Sequence, residues 1–232
     1  MIKGLNEFEK FYLIRPLPED CKLDRFSMPF VKKTEFSSLD WEQLRVVGVQ
    51  NASAKTSDRN TMVLMFNYDQ RLEVLWERSL KKIPLFQGFA AVATPDFSLY
   101  PCMNENVIRN NIFKSRWIGV TFQSYGITVL PTVGWASPDT YDICFSGLEP
   151  GSIVVVSTLG CLEHTAEFLD GFREMKRRLK PPLIIVYGKM IKGMTGTFLN
   201  YRYNDLFCSK QVYGQKWISG LSRYFTIPEE VN

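Results

Sequence analysis

Six short runs of branched and apolar residues recur along this chain with helical stretches between them, and that alternation limits its fold more than any other feature. The runs occupy residues 45–49, 62–66, 89–93, 127–133, 153–157 and 183–187. They are strand-length, and most are apolar at successive positions, as in strands buried on both faces. Helical spacing fills the gaps. Residues 70–82 carry Leu72, Leu75, Trp76 and Leu80 on one side, and residues 104–125 carry Val107, Ile108, Ile112, Phe113, Trp117 and Ile118 on one broad face. Gly126 stands where a helix-ending glycine belongs, and Pro181-Pro182 stops the helix expected over residues 163–179. A short helix is expected at 139–145 and a further strand at 197–202.

Strands separated by helices predict the α/β class, with a mainly parallel sheet. The expectation is a small or incomplete TIM-like barrel, with an open doubly wound sheet as the alternative. A full barrel takes about 250 residues, so 232 is marginal. Residues 1–44 carry Pro16, Pro18 and Pro29, which break any long helix, and read as an N-terminal arm over a single α/β domain spanning 45–232.

Composition narrows the function classes. A net charge of +4 is too mild to mark a nucleic-acid protein; only a local cluster could do so, and the basic run is Lys176-Arg177-Arg178 with Lys180. Five cysteines in no CxxC pair argue against a disulfide framework and for a reducing compartment. No leader is visible at Met1-Ile2-Lys3-Gly4, and no apolar run nears the roughly 20 residues that cross a bilayer. The expectation is a cytoplasmic protein without membrane contact. Its oligomeric state stays open, since the aromatic tail at 213–225 suits either core packing or subunit pairing. One histidine, His164, without a GxSxG elbow gives no support to Ser-His-Asp catalysis, and no spacing suits a His/Cys zinc site.

Five motifs occur in a fixed order: Thr94-Pro95-Asp96-Phe97-Ser98-Leu99-Tyr100; Ile127-Thr128-Val129-Leu130-Pro131-Thr132-Val133-Gly134-Trp135; Gly151-Ser152-Ile153-Val154-Val155-Val156-Ser157-Thr158-Leu159-Gly160; Arg178-Leu179-Lys180-Pro181; and Ile185-Val186-Tyr187-Gly188-Lys189. Over residues 60–192 the chain resembles the DUF4417 family, a domain of unknown function met in bacteria, phages and mobile elements. The resemblance implies an α/β core in a phage or mobile-element setting and names no reaction. The family pattern has paired acids after the second strand. Here that place reads Asn67-Tyr68-Asp69, so only Asp69 matches.

In parallel α/β folds the working residues gather at the carboxyl ends of strands. Those ends supply Asn67 and Asp69; Asp96, Ser98 and Tyr100; Thr132 and Trp135; Ser157 and Thr158; Tyr187 and Lys189. Asp69 and Asp96 end neighbouring strands, and two carboxylates in one mouth can act as acid and base or share a divalent metal. As ordinary structure, Asp69 would cap the following helix and Asp96 a turn after Pro95. Lys189 can meet an anion, and the Ser157-Thr158-Leu159-Gly160 turn offers amides and hydroxyls to a phosphate, although it lacks P-loop spacing. Tyr100 and Trp135 can stack on a base or sugar, or simply pack. Arg116 on the long helix can reach a phosphate or form a surface ion pair.

Three functions follow. The first is an enzyme acting on a nucleotide or other phosphorylated substrate, with Asp69, Asp96 and Lys189 catalytic and the remaining strand-end residues binding. The second is a non-catalytic protein that binds a host protein or nucleic acid. The third, a metal-dependent nuclease, is weakened because the carboxylates are few and none form a DxD string.

Overall fold

A computed structural model describes residues 4–202 and 224–229. Four strands, β1 (Arg45–Gly48), β2 (Thr61–Leu64), β3 (Ala91–Ala93) and β4 (Val129–Leu130), pair in parallel in that order. A second set, β5 (Val154–Ser157), β6 (Ile184–Tyr187) and β7 (Gly196–Tyr201), is also parallel, and β8 (Tyr224–Ile227) joins it antiparallel to β7. A parallel bridge between Thr132 and Val155 links the two sets, through Val155 N–H to the Pro131 carbonyl at 2.9 Å and Val133 N–H to the Val155 carbonyl at 2.8 Å.

The expected class is therefore present: parallel strands alternating with helices. Spatial order follows chain order without the reversal that defines a doubly wound sheet. No ladder among the described residues closes β7 or β8 onto β1, so a closed barrel is not formed by them.

Burial shows how the sheet is covered. Val63, Val92, Val129, Val154, Val156, Ile184, Val186 and Phe198 belong to a core shared with helices. The alternate positions, Met62, Leu64, Ala91, Ala93, Leu130, Val155, Ile185, Tyr187, Leu199 and Tyr201, form a second core that contains no helical residue. Its apolar side chains come from both sets of strands, so the sheet curls and buries its inner face against itself. Phe66 stacks on Tyr187 across this space, with ring centroids 4.6 Å apart, and the Tyr201 hydroxyl donates to the Leu44 carbonyl at 3.1 Å. Trp41 and Leu44 add to the same core from just before β1.

The helices are α1 (Glu7–Ile14), α2 (Asp69–Glu77), α3 (Ser79–Phe86), α4 (Glu105–Ser124), α5 (Tyr141–Cys144) and α6 (Thr165–Leu179). The single helix expected at 70–82 is two, parted at Arg78 (φ −127, ψ 23). Helix α4 starts at an Asn104 cap and gives way to Gly126 in the left-handed region (φ 75). The first 44 residues are less irregular than expected. An Asn6/Glu9 capping box starts α1, and Met28 and Val31 are buried in the core. The Trp117 indole donates to the Arg15 and Pro16 carbonyls, and Arg15 lies over the Trp76 ring at 3.6 Å. Of the tail at 213–225, all but its last two residues lies outside the described residues.

Arg116 is neither a phosphate contact nor a surface ion pair. It is fully buried, and its guanidinium donates to the backbone carbonyls of Ser146 (3.0 Å), Thr132 (3.1 Å) and Cys144 (3.1 Å). Burial pulls its pKa down to about 10, partly offset by Cys144 and Asp24, so it stays charged at neutral pH. Arg116→Lys keeps the charge but not the planar fork. Its expected cost is about 3 kcal/mol or more, because carbonyls and a buried charge lose their partners; denaturant unfolding measures it. Val155→Asp puts an unpaired charge into the inner core and is expected to abolish folding by circular dichroism. Arg177→Ala, on the exposed face of α6, should barely move the melting temperature.

Candidate functional site

The carboxyl ends of β1 to β7 open on one side, and most polar strand-end residues gather there. Asp69 is the first residue of α2 and does not cap its own helix. Its Oδ1 instead accepts from the backbone N–H and the hydroxyl of Ser98, each at 3.1 Å. Ser98 is fixed in turn by the Asn111 amide, which donates to its carbonyl at 2.9 Å. Buried Lys114, one turn further along α4, pairs with Glu73 and lies 4.8 Å from the Phe97 ring centroid. The loop after β3 is thus held from beneath by α4.

Asp96 sits on that loop, tied by its N–H to the Met65 carbonyl at 3.1 Å. It caps nothing: its carboxyl has no hydrogen bond or ion pair among the described residues. Part of its side chain meets solvent, while protein surrounds the rest. This desolvation, and secondarily the charge of Asp69, raises its pKa from 3.8 to about 7. A Cβ on Gly134 would lie 3.9 Å from Asp96 Oδ1. Burial, with the Asp96 charge as the lesser cause, also pushes up the Cys161 thiol. Asp69, Asp96, Ser98, Gly134 and Cys161 are therefore neighbours.

Other strand-end residues are placed differently. Thr132 is buried, with its hydroxyl on the Thr94 carbonyl and its own N–H on the Thr94 hydroxyl at 2.8 Å. Thr158 is buried, with its N–H donating to the Tyr187 carbonyl at 3.0 Å, and Tyr187 itself lies in the inner core. The Ser157 hydroxyl accepts from Leu159 N–H at 3.1 Å. Trp135 packs on Phe168, with centroids 5.0 Å apart, and on Gly171. Any side chain at 171 would collide with the indole, 2.2 Å from Cδ1, so this mid-helix glycine exists for the contact. Tyr100 is exposed, and Lys189 is exposed with no ion pair among the described residues. Asn67 is half-buried and bonded to Gln50 at 3.4 Å.

Asn111, which is buried, is not among the residues singled out from the sequence. The signal was there: Asn111 falls in helical phase with Ile108, Ile112 and Ser115 on the buried side of α4. Gln50 and Cys161 were missed because neither is distinctive in type.

The basic run on α6 is not a free positive patch. Arg177 and Arg178 both bond Glu174, pulling its pKa down to about 2, and Arg178 also pairs with Asp142. Lys176 pairs with Glu229. Among the described residues no group of three His, Cys, Asp or Glu side chains is placed to hold a metal ion, and no helix is long and apolar enough to cross a membrane.

Two curated phage proteins are similar to this chain. The Gene 1 protein of Mycobacterium phage D29 is 38% identical over 125 residues, 53% of this chain and 46% of that protein. The Gene 1 protein of Mycobacterium phage L5 is 38% identical over 125 residues, 53% of this chain and 55% of that protein. The chain spans about half the length of these relatives. No solved structure matches it. The family described as "Domain of unknown function (DUF4417)" matches residues 24–203, well over half of the sequence. With phage proteins as its relatives, the chain belongs to the DUF4417 family.

Proposed function

We propose that the mouth at the strand ends binds a small phosphorylated or nucleotide-like molecule and that Asp96 exchanges a proton with it, while Asp69 lies at its side. The observation that carries this is Asp96 itself: an unpaired carboxyl, largely enclosed, with a pKa of about 7. A group that titrates at the working pH is suited to acid–base chemistry. The partner carboxylate is anchored by Ser98, so the two acids have separate environments, the usual basis for separate roles. Lys189, at the rim and unpaired among the described residues, supplies a cation for a phosphate. A divalent metal shared by Asp69 and Asp96 would draw its other ligands from substrate and water. Chain-ordered strands and a shared inner face support reading the curled sheet as an incomplete TIM-like barrel, whose sites lie at these ends. A cytoplasmic, phage or mobile-element setting is part of the same proposal.

The alternative, a protein that binds a host protein without catalysis, draws on one observation: Leu13 and Ile14, adjacent at the end of α1, are 61% and 59% exposed. The nucleic-acid form of that alternative has less behind it, since the α6 cations are already paired.

The Asp96 titration can be tested without knowing the substrate. Its folded-state pKa is raised from 3.8 to about 7, so the folded protein holds the proton more tightly than the unfolded chain. Stability from this group is fully present below about pH 4 and is lost as pH rises through 7. Asp96→Asn cannot ionise. It is expected to melt higher than wild type at pH 8, with the gap closing as pH falls to 4. A carbon-13 titration of the carboxyl should show a midpoint near 7. Calorimetry with ribose 5-phosphate should show binding that changes across the same midpoint in wild type and not in Asp96→Asn. A midpoint near 4, or a variant that melts lower at every pH, defeats the acid–base reading. Loss of biological effect in Leu13→Asp/Ile14→Asp, with Asp96→Asn unaffected, would favour the host-protein alternative.

A further inference from the structure

Gln50 lies in the short 3-10 turn Val49–Asn51 that ends β1. Its side chain folds back over Gly48: a Cβ added there would lie 2.5 Å from Gln50 Nε2 and 2.8 Å from Oε1. Val47 faces the helices, so alternation turns the Gly48 position to the inner face, where its register partner Leu64 also points. Gly48 thus leaves empty the space a strand side chain would fill, and the Gln50 amide occupies it.

The neighbours settle which way that amide points. Asn67 Oδ1 accepts from Tyr68 N–H at 2.9 Å, so the free end of Asn67 is its NH2, which donates to Gln50 Oε1 at 3.4 Å. Gln50 Nε2 is the end left over. It is buried and has no hydrogen-bond partner among the described residues. A buried donor without an acceptor is costly and calls for an explanation.

We propose that Gln50 is a ligand-binding residue whose Nε2 donates to a ring carbonyl of the molecule that meets Asp96. This rests on the ligand site proposed above and narrows its occupant to a nucleoside monophosphate with a carbonyl-bearing base. Gln50 and Asp96 stand at the ends of β1 and β3, the two neighbours of β2, so one ligand over β2 can meet both. Tyr68 and Tyr100, 73% and 57% exposed, stand on the loops after β2 and β3 and offer faces for a planar ring. The Asn67–Gln50 bond is long at 3.4 Å, so the amide can turn outward as a carbonyl arrives.

Uridine 5′-monophosphate and ribose 5-phosphate are the probes, titrated calorimetrically into the full chain at pH 7; they share sugar and phosphate and differ by the ring. Wild type is expected to bind the nucleotide at least about tenfold more tightly, the worth of one well-made hydrogen bond. Gln50→Met should lose that advantage, leave ribose 5-phosphate affinity unchanged and raise the melting temperature, because an unpaired amide leaves the interior. Gly48→Ala, whose methyl displaces the Gln50 amide, should lose the same advantage with Gln50 in place. If Gln50→Met melts lower and binds the nucleotide as wild type does, Gln50 is structural and the inference falls. Ribose 5-phosphate binding that still depends on Asp96 would then leave the ligand site standing. If wild type binds neither probe, both fall.

Discussion

Strands β2 to β7 carry apolar side chains on both faces, yet the helices cover only one of them. The second face must be hidden from water by the sheet itself, and burial of its side chains, at about 25 cal/mol per Å² of apolar surface, drives the curl. Ala91 and Ala93 are the small members of this inner layer and Tyr187 and Tyr201 the large ones, as expected where side chains from facing strands share a narrow space. Polar groups cannot be spread through such a layer. They collect at its open end, which is why strand ends rather than a groove between domains carry the candidate chemistry.

A second constraint keeps that end in shape. Strand β4 has only two residues, and the chain from Pro131 to Ser146 is largely buried, with a 3-10 turn at Pro138–Thr140 and the four-residue α5 as its regular structure. Its carbonyls need donors. Arg116 provides three of them from α4, and Asp24 accepts the Gly147 N–H at 3.0 Å. A guanidinium facing carbonyl dipoles keeps its charge without a bonded carboxylate, and the same helix positions the Asp96 loop through Asn111. Helix α4 therefore braces both the wall beside Gly134 and the loop that carries Asp96.

Much of this was legible in the sequence. Runs of Val and Ile marked β5 and β6, the apolar run at 62–66 marked β2, helical spacing over 104–125 and Gly126 bounded α4, and the strand-end rule located Asp69 and Asp96. Side-chain direction was harder. Tyr187 lies two residues beyond Ile185 and so shares its inward face, a parity that strand-end counting ignores. Thr132 and Thr158 have the polarity of binding residues, but their bonds to Thr94 and Tyr187 tie strand to strand, which depends on neighbours distant in sequence. Arg116 looked like a surface cation because nothing local shows that an unpaired loop passes over it. The break at Arg78 likewise has no strong local signal.

The paired charges of the framework contrast with the unsatisfied groups at the strand ends. The Arg177 and Arg178 guanidiniums are paired with carboxylates, and buried Arg116 has three acceptors. At the strand ends the rule fails twice within three neighbouring strands: Gln50 Nε2 is a buried donor without an acceptor, and Asp96 is an enclosed acid without a donor. Each lowers the stability of the fold as it stands. The buried hydroxyls of Ser79 on α3 and Thr121 on α4 also lack a partner among the described residues, but an amide donor and an acid left unsatisfied together at one end of one sheet are the local inconsistency expected of a site awaiting a ligand. A ligand carbonyl would satisfy the first and a ligand hydroxyl or N–H the second, so a single occupant could remove both penalties at once.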